Sequence, residues 1–596
     1  MNVTVRPYRN HYETAIVGKL GLASRIDGSP DLDKPGQATV VSMTFEEALD
    51  VIRKIDNLTR GIPKIIYLVG WQFNGHDTGY PDWSEVNPAL AREGEDPVDS
   101  LIWLMDEALK YNTKVSLHIN MTDAKDTSPL WEEYIEKDVI ARNADGSLVE
   151  YGFGNTINYT REWELGLAQR RIDQLVEMLD GRLERAGTIH IDAYHSYLPN
   201  RPNEAMSPWH EEKYGYGLEE DVETQRRVYR YWRSKGIDVT AEHATTNRTE
   251  DRFVGLQPMA WYYEMSDFLT IPASLYCGGD TASASVFGAN SKLESFAKDK
   301  ENLTGLLKDF ANKSLVFQFL NSFDRISYEN GVAVFSDGVT NSGSHIEQDG
   351  RLYQDGSNLF IPELWMEHRE IYAYSEQGYT DMAWTLPADW SDVEAVDLYR
   401  ITLEGLEPVS TDVAVEEGVL TLTLPADTAY AVLPAGTDPA VQILRVSADA
   451  QEAAPGGTVQ FTAETRIGAS AAGLVKWEVE GGAAGTEIDE NGLLHIAAGE
   501  TAESLTVRAV WTTDKTIAAE MAIPVGETQP EIRKGDLNED GKIDIKDVMA
   551  LCRVLARKNT GAKPEEKELA LGDMDEDGSI MIQDIMLLCR EIARNA

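Results

Sequence analysis

The chain has 596 residues, and its 100 acidic against 54 basic side chains give a formal net charge of −46. That length exceeds a single domain, and the negative balance argues against nucleic acid or an anionic membrane surface as partner, because phosphates are repelled. Three cysteines cannot build a disulfide framework, no apolar run is long enough for membrane insertion, and the opening MNVTVRPYRN lacks the basic and apolar regions of a secretory signal.

From Thr14 to about Leu320, short β-rich runs alternate with amphipathic helical patterns. The runs are TAIVGKLGLAS, KIIYLVGWQ, TKVSLHIN, TIHIDAYH, IDVTAEH, DFLTIPA and SLVFQFLN; between them lie segments such as TFEEALDVIRKIDNL and ETQRRVYRYWRSKG. Near-continuous apolar strands followed by helices predict a parallel sheet covered on both faces. About seven or eight such units predict a (β/α)8 TIM-like barrel over 1–385, an α/β fold with its active rim at the strand C-termini. Polar or aromatic residues close most of these runs: Trp71-Gln72, His118 and Asn120, Asp192, Glu242-His243 and Asn321.

Two acids at such ends, Asp192 and Glu242, suit glycoside hydrolysis with retention, where one carboxylate attacks and a second carboxyl serves as acid and then base. His76 and Asp77, after YLVGWQFN, and His118 are placed to hydrogen-bond sugar hydroxyls. His118 equally fits a buried core histidine, and Asp77 a turn cap. His76, Asp77 and His118 also have the donor types of a zinc site, although no compact HxH or HExxH spacing occurs. Aromatic residues gather near the same ends, among them Trp71, Phe73, Tyr80, Trp83, Tyr151, Phe153, Tyr194, Tyr197, Trp209, Trp261, Tyr262 and Tyr263. They could wall a sugar cleft or simply fill the core. No phosphate loop, GxSxG elbow or Cys–His nucleophile pattern is present, and Cys277 carries no assigned role.

The order Gly75-His76-Asp77, His118 in LHIN, Tyr151-Gly152-Phe153, Asp192 in IHIDAY and Glu242 in VTAEH resembles the endo-α-N-acetylgalactosaminidases of glycoside hydrolase family 101. The resemblance extends to about residue 437 through MAWTLPADW and DTAYAVLP. It implies a retaining enzyme with Asp192 as nucleophile and Glu242 as acid/base, needing no metal for its chemistry. Asp77, His76, His118, Tyr151, Phe153 and Trp71 are the implied substrate-binding residues. The implied reaction releases Galβ1,3GalNAc from Ser or Thr of mucin-type O-glycoproteins. Two departures bear on specificity: Phe153 and Asn155 stand where the family has tryptophans, and HSYLPNRPNEAMSPWHEEKYGYG lengthens the interval after Asp192. An exo-acting or differently specific α-glycosidase, or a non-catalytic glycan-binding barrel, is the alternative.

Beyond the barrel, 386–437 alternates with period two and predicts a β-sandwich. Residues 438–527, with VQFTAE, VKWEVE, EIDENGLLHI and LTVRAVW, resemble a bacterial Ig-like domain. In 528–596 two calcium-type loops stand in register. Asp536, Asn538, Asp540, Asp544 and Asp547 occupy positions 1, 3, 5, 9 and 12 of the first; Asp573, Asp575, Asp577 and Asp584 occupy 1, 3, 5 and 12 of the second. Gly541 and Gly578 allow the bend at position 6, and Lys542 and Ser579 offer position-7 carbonyls. Each loop runs into a similar helical pattern, DVMALCRVLAR and DIMLLCREIAR, with Cys552 and Cys589 expected as buried thiols. The paired half-motifs, with Asp rather than Glu at position 12, resemble a type I dockerin. This implies a small α-helical module with two Ca2+ sites and a cohesin of a scaffoldin or surface protein as partner, contacted through Ile545-Lys546 and Ile582-Gln583. It also implies work outside the cell, so a signal peptide is expected to have been removed upstream of Met1.

Overall fold

The computed structural model describes residues 8–26, 35–151, 154–192, 194, 206–241, 256, 303–526, 533–538, 542–559 and 561–595. Glu242, Phe153, Tyr197, Trp261, Tyr262, Tyr263, Cys277, the DFLTIPA run, Asp540 and Gly541 lie outside them. The chain forms two compact units, the first comprising 1–445 with 464–474, the second 446–463 with 475–596.

Five strands of the first unit, β1 (Ile16–Gly21), β2 (Lys64–Val69), β3 (Thr113–Asn120), β4 (Thr188–Asp192) and β5 (Asp238–Ala241), form a sheet in sequential order. Every neighbouring pair is parallel. β3 is buried at all eight positions, as a strand covered on both faces must be. Helices α1 (Phe45–Leu58), α2 (Pro97–Glu107), α3 (Leu167–Met178) and α4 (Leu218–Ser234) lie between the strands in the chain. Helix α1 starts with a capping box, Glu47 N donating to Thr44 Oγ1 and Thr44 N to Glu47 Oε2. It buries Phe45, Ala48, Val51, Ile52, Ile55 and Leu58, one apolar stripe of helical period.

The eight-stranded barrel is not seen among the described residues, which supply five parallel strands. SLVFQFLN, read as a strand, is instead helical: Phe310–Leu315 is a π-helical turn that continues into an α-helix, Val316–Asn321. Phe310, Ala311, Leu315, Val316, Phe317, Phe319 and Leu320 are all buried. A helix covered all round leaves the same unbroken apolar run as a buried strand, so periodicity cannot separate them.

Antiparallel strands begin at Arg325, earlier than residue 386, and a ten-stranded sheet runs from there to Pro434. The end of α1 is tied to it. Arg60 Nε and Nη2 donate to Glu370 Oε1 and Oε2 at 2.5 and 2.8 Å, and Nη2 also reaches the Pro439 carbonyl at 2.8 Å. Tyr372 Oη donates to the Leu58 carbonyl at 2.9 Å and Trp365 Nε1 to that of Arg60 at 3.0 Å. Both charged partners are buried. Burial tends to lift the Glu370 carboxyl, but its bonds to Arg60 and His368 hold it below the usual range.

In the second unit two sheets, of four and three strands, enclose Val459, Phe461, Leu494, Ile496, Leu505, Val507 and Ile523 as a sandwich. The C-terminal module has three helices, α5 (Ile545–Asn559), α6 (Glu566–Gly572) and α7 (Ile582–Asn595). Its core is Val548, Leu551, Val554, Ile580 and Leu588. Cys552 and Cys589 are exposed, not buried. Each follows a fully buried leucine, Leu551 or Leu588, and one residue along a helix turns the side chain about 100° away from the buried stripe. No described helix is long and apolar enough to cross a membrane.

Glu370→Ala removes the carboxylate that pairs with buried Arg60 through two hydrogen bonds and is expected to destabilise the first unit by about 3–5 kcal/mol. Urea unfolding followed by tryptophan fluorescence checks this; a change within experimental error would deny the pair its structural role.

Candidate active site

The site forms at the C-terminal ends of β2, β3 and β4. In the β3–β4 ladder His118 pairs with His190, Ile119 with Ile191, and Asn120 with Asp192. Side chains alternate along a strand, so His118, Asn120, His190 and Asp192 share one face. The His118 ring stacks on His190 with centroids 5.0 Å apart, and His190 Nδ1 lies 3.0 Å from Thr240 Oγ1 on β5.

Asp192 closes β4 partly exposed. Asn120 Nδ2 donates to its Oδ2 at 3.4 Å, and His118 Nε2 stands 3.7 Å from the same oxygen. The Asn120 side-chain oxygen, Oδ1, accepts from Thr122 N and Asp123 N at 2.7 and 2.8 Å. With that oxygen occupied, the amide NH2 must face Asp192.

The loop after β2 brings in the remaining groups. Gly70 has φ +75°, and a Cβ there would lie 2.0 Å from the Ala23 carbonyl oxygen, so no other residue fits without moving the backbone. His76 N donates to that same carbonyl at 3.0 Å. This turns His76 and Asp77 over the strand ends, with His76 Nε2 3.5 Å from Asp77 Oδ1 and the His76 ring edge-on to His118 at 5.4 Å. His76, His118 and Asp192 then each present one ligand-type atom, all within 4.8 Å of one another.

Trp71 departs from its expected place in the sugar cleft. It is fully buried, and its indole N–H donates to the His118 carbonyl at 3.0 Å. It supports β3 from behind and does not line the surface. Tyr151 lies in a short ribbon strand, Glu150–Tyr151, paired with Gly154–Thr156.

Asp123 and Gln72 were not among the expected site residues. Asp123 is 1% exposed. Burial foremost, with the Asp77 and Asp192 charges adding to it against Lys125, pushes its carboxyl up to about 8. It is therefore a neutral acid at pH 7 beside two other carboxyls. Burial, with the charges of Asp77, Asp192 and Asp123, also raises the Tyr80 phenol. The Gln72 amide and Tyr80 Oη are buried and have no partner of normal hydrogen-bond geometry among the described residues. Gln72 was legible as a polar strand end. Asp123 gave no signal beyond the polar run NMTD after β3.

Residues 36–254 match the family described as endo-alpha-N-acetylgalactosaminidase, glycoside hydrolase family 101, and residues 534–593 match the dockerin type I domain. The chain carries a family 101 region and a type I dockerin. Among solved structures it is similar to the alpha-N-acetylgalactosaminidase NagBb from Bifidobacterium bifidum in complex with Gal-NHAc-DNJ. That match has 16% identity over 42% of this chain and 37% of that one, TM-score 0.32. For the quadruple mutant of the same protein the identity is 14%, over 56% of each chain, TM-score 0.37. A pullulanase, SAP, from Group B Streptococcus matches at 11% identity over 72% of each chain, TM-score 0.33. The chain thus spans 37% and 56% of the length of the two Bifidobacterium structures.

In the dockerin, the position-1 and position-12 carboxylates are buried: Asp536, Asp547, Asp573 and Asp584. Backbone N–H groups of the loops hold them. Asp547 accepts from Asn538 N and Asp544 N at 3.1 and 2.8 Å, and Asp584 from Met574 N and Met581 N, both at 2.7 Å. Asp573 accepts from Asp577 N and Gly578 N at 3.1 and 2.7 Å. Asp573, Asp575 and Asp577 converge within 4.8 Å. Desolvation, and then the neighbouring carboxylates Asp577, Asp584 and Asp573, lift the Asp575 carboxyl. Oxygen donors gathered around a shared centre fit a hard divalent ion.

Asp123→Asn tests the neutral-acid assignment. A carboxyl raised from its unfolded value near 3.8 to about 8 contributes stability in full below pH 3.8, and that contribution is lost as pH rises to 8. The variant, neutral throughout, is expected to melt higher than the parent at pH 8, with the gap narrowing towards pH 4. Calorimetric melting across that range measures it, and a pH-independent gap would reject the assignment.

Proposed function

We propose that the family 101 region is a retaining endo-α-N-acetylgalactosaminidase, with Asp192 as nucleophile and Glu242 as acid/base. The observation that carries this is Asp192 at a strand end, oriented by Asn120 and facing His118, inside the segment that matches the family. β5 pairs with β4 as far as Ala241 opposite Ile191, one residue before Asp192.

Asp192 attacks the anomeric carbon as the bond to the serine or threonine oxygen breaks, and Glu242 gives that oxygen a proton. Glu242 then takes a proton from water, which attacks the β-linked glycosyl-enzyme and returns Asp192 as carboxylate. Asn120, fixed by two backbone N–H groups, holds the Asp192 side chain in one rotamer for the attack. Asp77, His76 and His118 serve the hydroxyls of the sugar, and the rings of Tyr151 and Phe153 its apolar C–H face. Neutral Asp123 places no third charge beside Asp192, so the nucleophile stays accessible to an electron-poor carbon. The substrate is a mucin-type O-glycoprotein. Asn155 at a position where the family has tryptophan favours, as second reading, an α-linked glycan of different size.

Desialylated mucin, incubated with the protein and with Asp192→Asn, provides the test, with released sugars identified by mass spectrometry. An intact Gal-GalNAc disaccharide is expected, and Asp192→Asn is expected to lower turnover by several orders of magnitude. Undiminished turnover in that variant would remove Asp192 from the chemistry, and free monosaccharide would establish the exo alternative.

The dockerin holds two Ca2+ ions and docks onto a cohesin, placing the enzyme outside the cell in a surface or scaffold-bound complex. Ile545 and Ile582 are 64% and 63% exposed at equivalent places, each with an exposed methionine one turn on, Met549 and Met586. Both pairs suit a protein partner and not solvent. With calcium chelated by EGTA, hydrogen exchange in α5 and α7 of the full chain is expected to accelerate strongly. Identical protection with and without chelator would show that calcium does not order the module.

A further inference from the structure

The three residues His76, His118 and Asp192 bring together a donor set that sugar binding does not require. Two imidazoles and one carboxylate are the donors preferred by borderline ions such as Zn2+, and three protein ligands leave a fourth position for water or substrate. Ligand bonds of about 2.0–2.2 Å put the donor atoms of a tetrahedral site roughly 3.3 Å apart. His118 Nε2 and Asp192 Oδ2 stand 3.7 Å apart, and all three donors lie within 4.8 Å, so small side-chain rotations close the set. Supporting contacts already exist: Asn120 fixes Asp192, and His190 stacks on His118. His76 has a side chain 39% exposed and so keeps freedom to swing in. Asp77, expected from the sequence as a donor alongside His76 and His118, lies 3.5 Å from His76 Nε2, where its carboxylate can orient that ring.

We propose that His76, His118 and Asp192 bind a divalent transition ion of the Zn2+ class, and that its occupation inhibits the glycosidase. Binding depends only on the donor set; the inhibitory consequence rests on Asp192 being the nucleophile. A carboxylate that donates to a metal is a much weaker nucleophile, and the ion occupies the space at the strand ends where the sugar would lie. The active form is therefore the metal-free form, and Zn2+ competes with substrate. Ca2+ does not take part, since a hard cation prefers the all-oxygen loops of the dockerin to imidazole.

The full-length protein, saturated with Ca2+, is titrated with Co2+, whose visible absorption reports coordination by nitrogen and oxygen, and the bound Co2+ is then displaced with Zn2+. Expected is one tightly held equivalent, with affinity lowered at least about tenfold in His76→Ala and in Asp192→Asn. Both variants must keep the parent near-UV circular dichroism. Unchanged affinity in both would overturn the site, and so would loss of the signal in the dockerin variant Asp575→Ala, which would place the ion there. On desialylated mucin, Zn2+ is expected to suppress turnover and a chelator to restore it. Binding at the site with undiminished turnover would overturn the inhibitory role. Absence of turnover on any glycan would instead refute the glycosidase reading, leaving the binding result to stand by itself.

Discussion

The parallel register between β3 and β4 is the constraint on which the candidate site depends. Because Asn120 pairs with Asp192 and His118 with His190, four polar side chains emerge on one face of two adjacent strands. A slip of one residue would send the whole set to the opposite face. The register is held by burial along the full length of β3 and by Ser116 Oγ donating to the Thr188 carbonyl at 2.6 Å. Trp71, from the neighbouring strand end, adds a bond to the His118 carbonyl near the end of β3. Rigid strand ends of this kind hold polar side chains in a fixed geometry better than a loop would.

Charge is handled in two ways in this acidic chain. At the strand ends, Asp77, Asp123 and Asp192 are close enough to influence one another, and the most buried of the three takes up a proton. In the dockerin loops, carboxylates also crowd, but backbone N–H groups hold them in place with their free oxygens turned to a common centre. The first arrangement suits chemistry at carbon, the second a hard cation. Partners make the difference: the buried loop carboxylates accept from backbone N–H groups, whereas burial foremost raises the Asp123 carboxyl.

Much of this was legible in local patterns. Strand ends such as IHIDAY, the Gly-His-Asp triplet and the duplicated Asp loops name donors at fixed spacing, and spacing survives any detail of packing. Trp71 was misread because an aromatic beside a strand end looks the same whether it faces solvent or core. The helix at Val316–Asn321 was misread as a strand because burial on every side erases periodicity. Cys552 and Cys589 were expected in the buried stripe and lie one residue off it, a single step around the helix.

The sequence by itself determined which chemical groups are available: the two carboxylates, the histidines and the paired calcium-type loops, because residue identity and spacing along one element are local properties. Only the tertiary structure decided which of them meet. Asp123 becomes a neutral acid, and His76 comes to face His118 and Asp192, through contacts between segments far apart in the chain. Desolvation and distance between such segments depend on how the strands pair and how the Gly70 loop folds back on Ala23, and no local pattern encodes either.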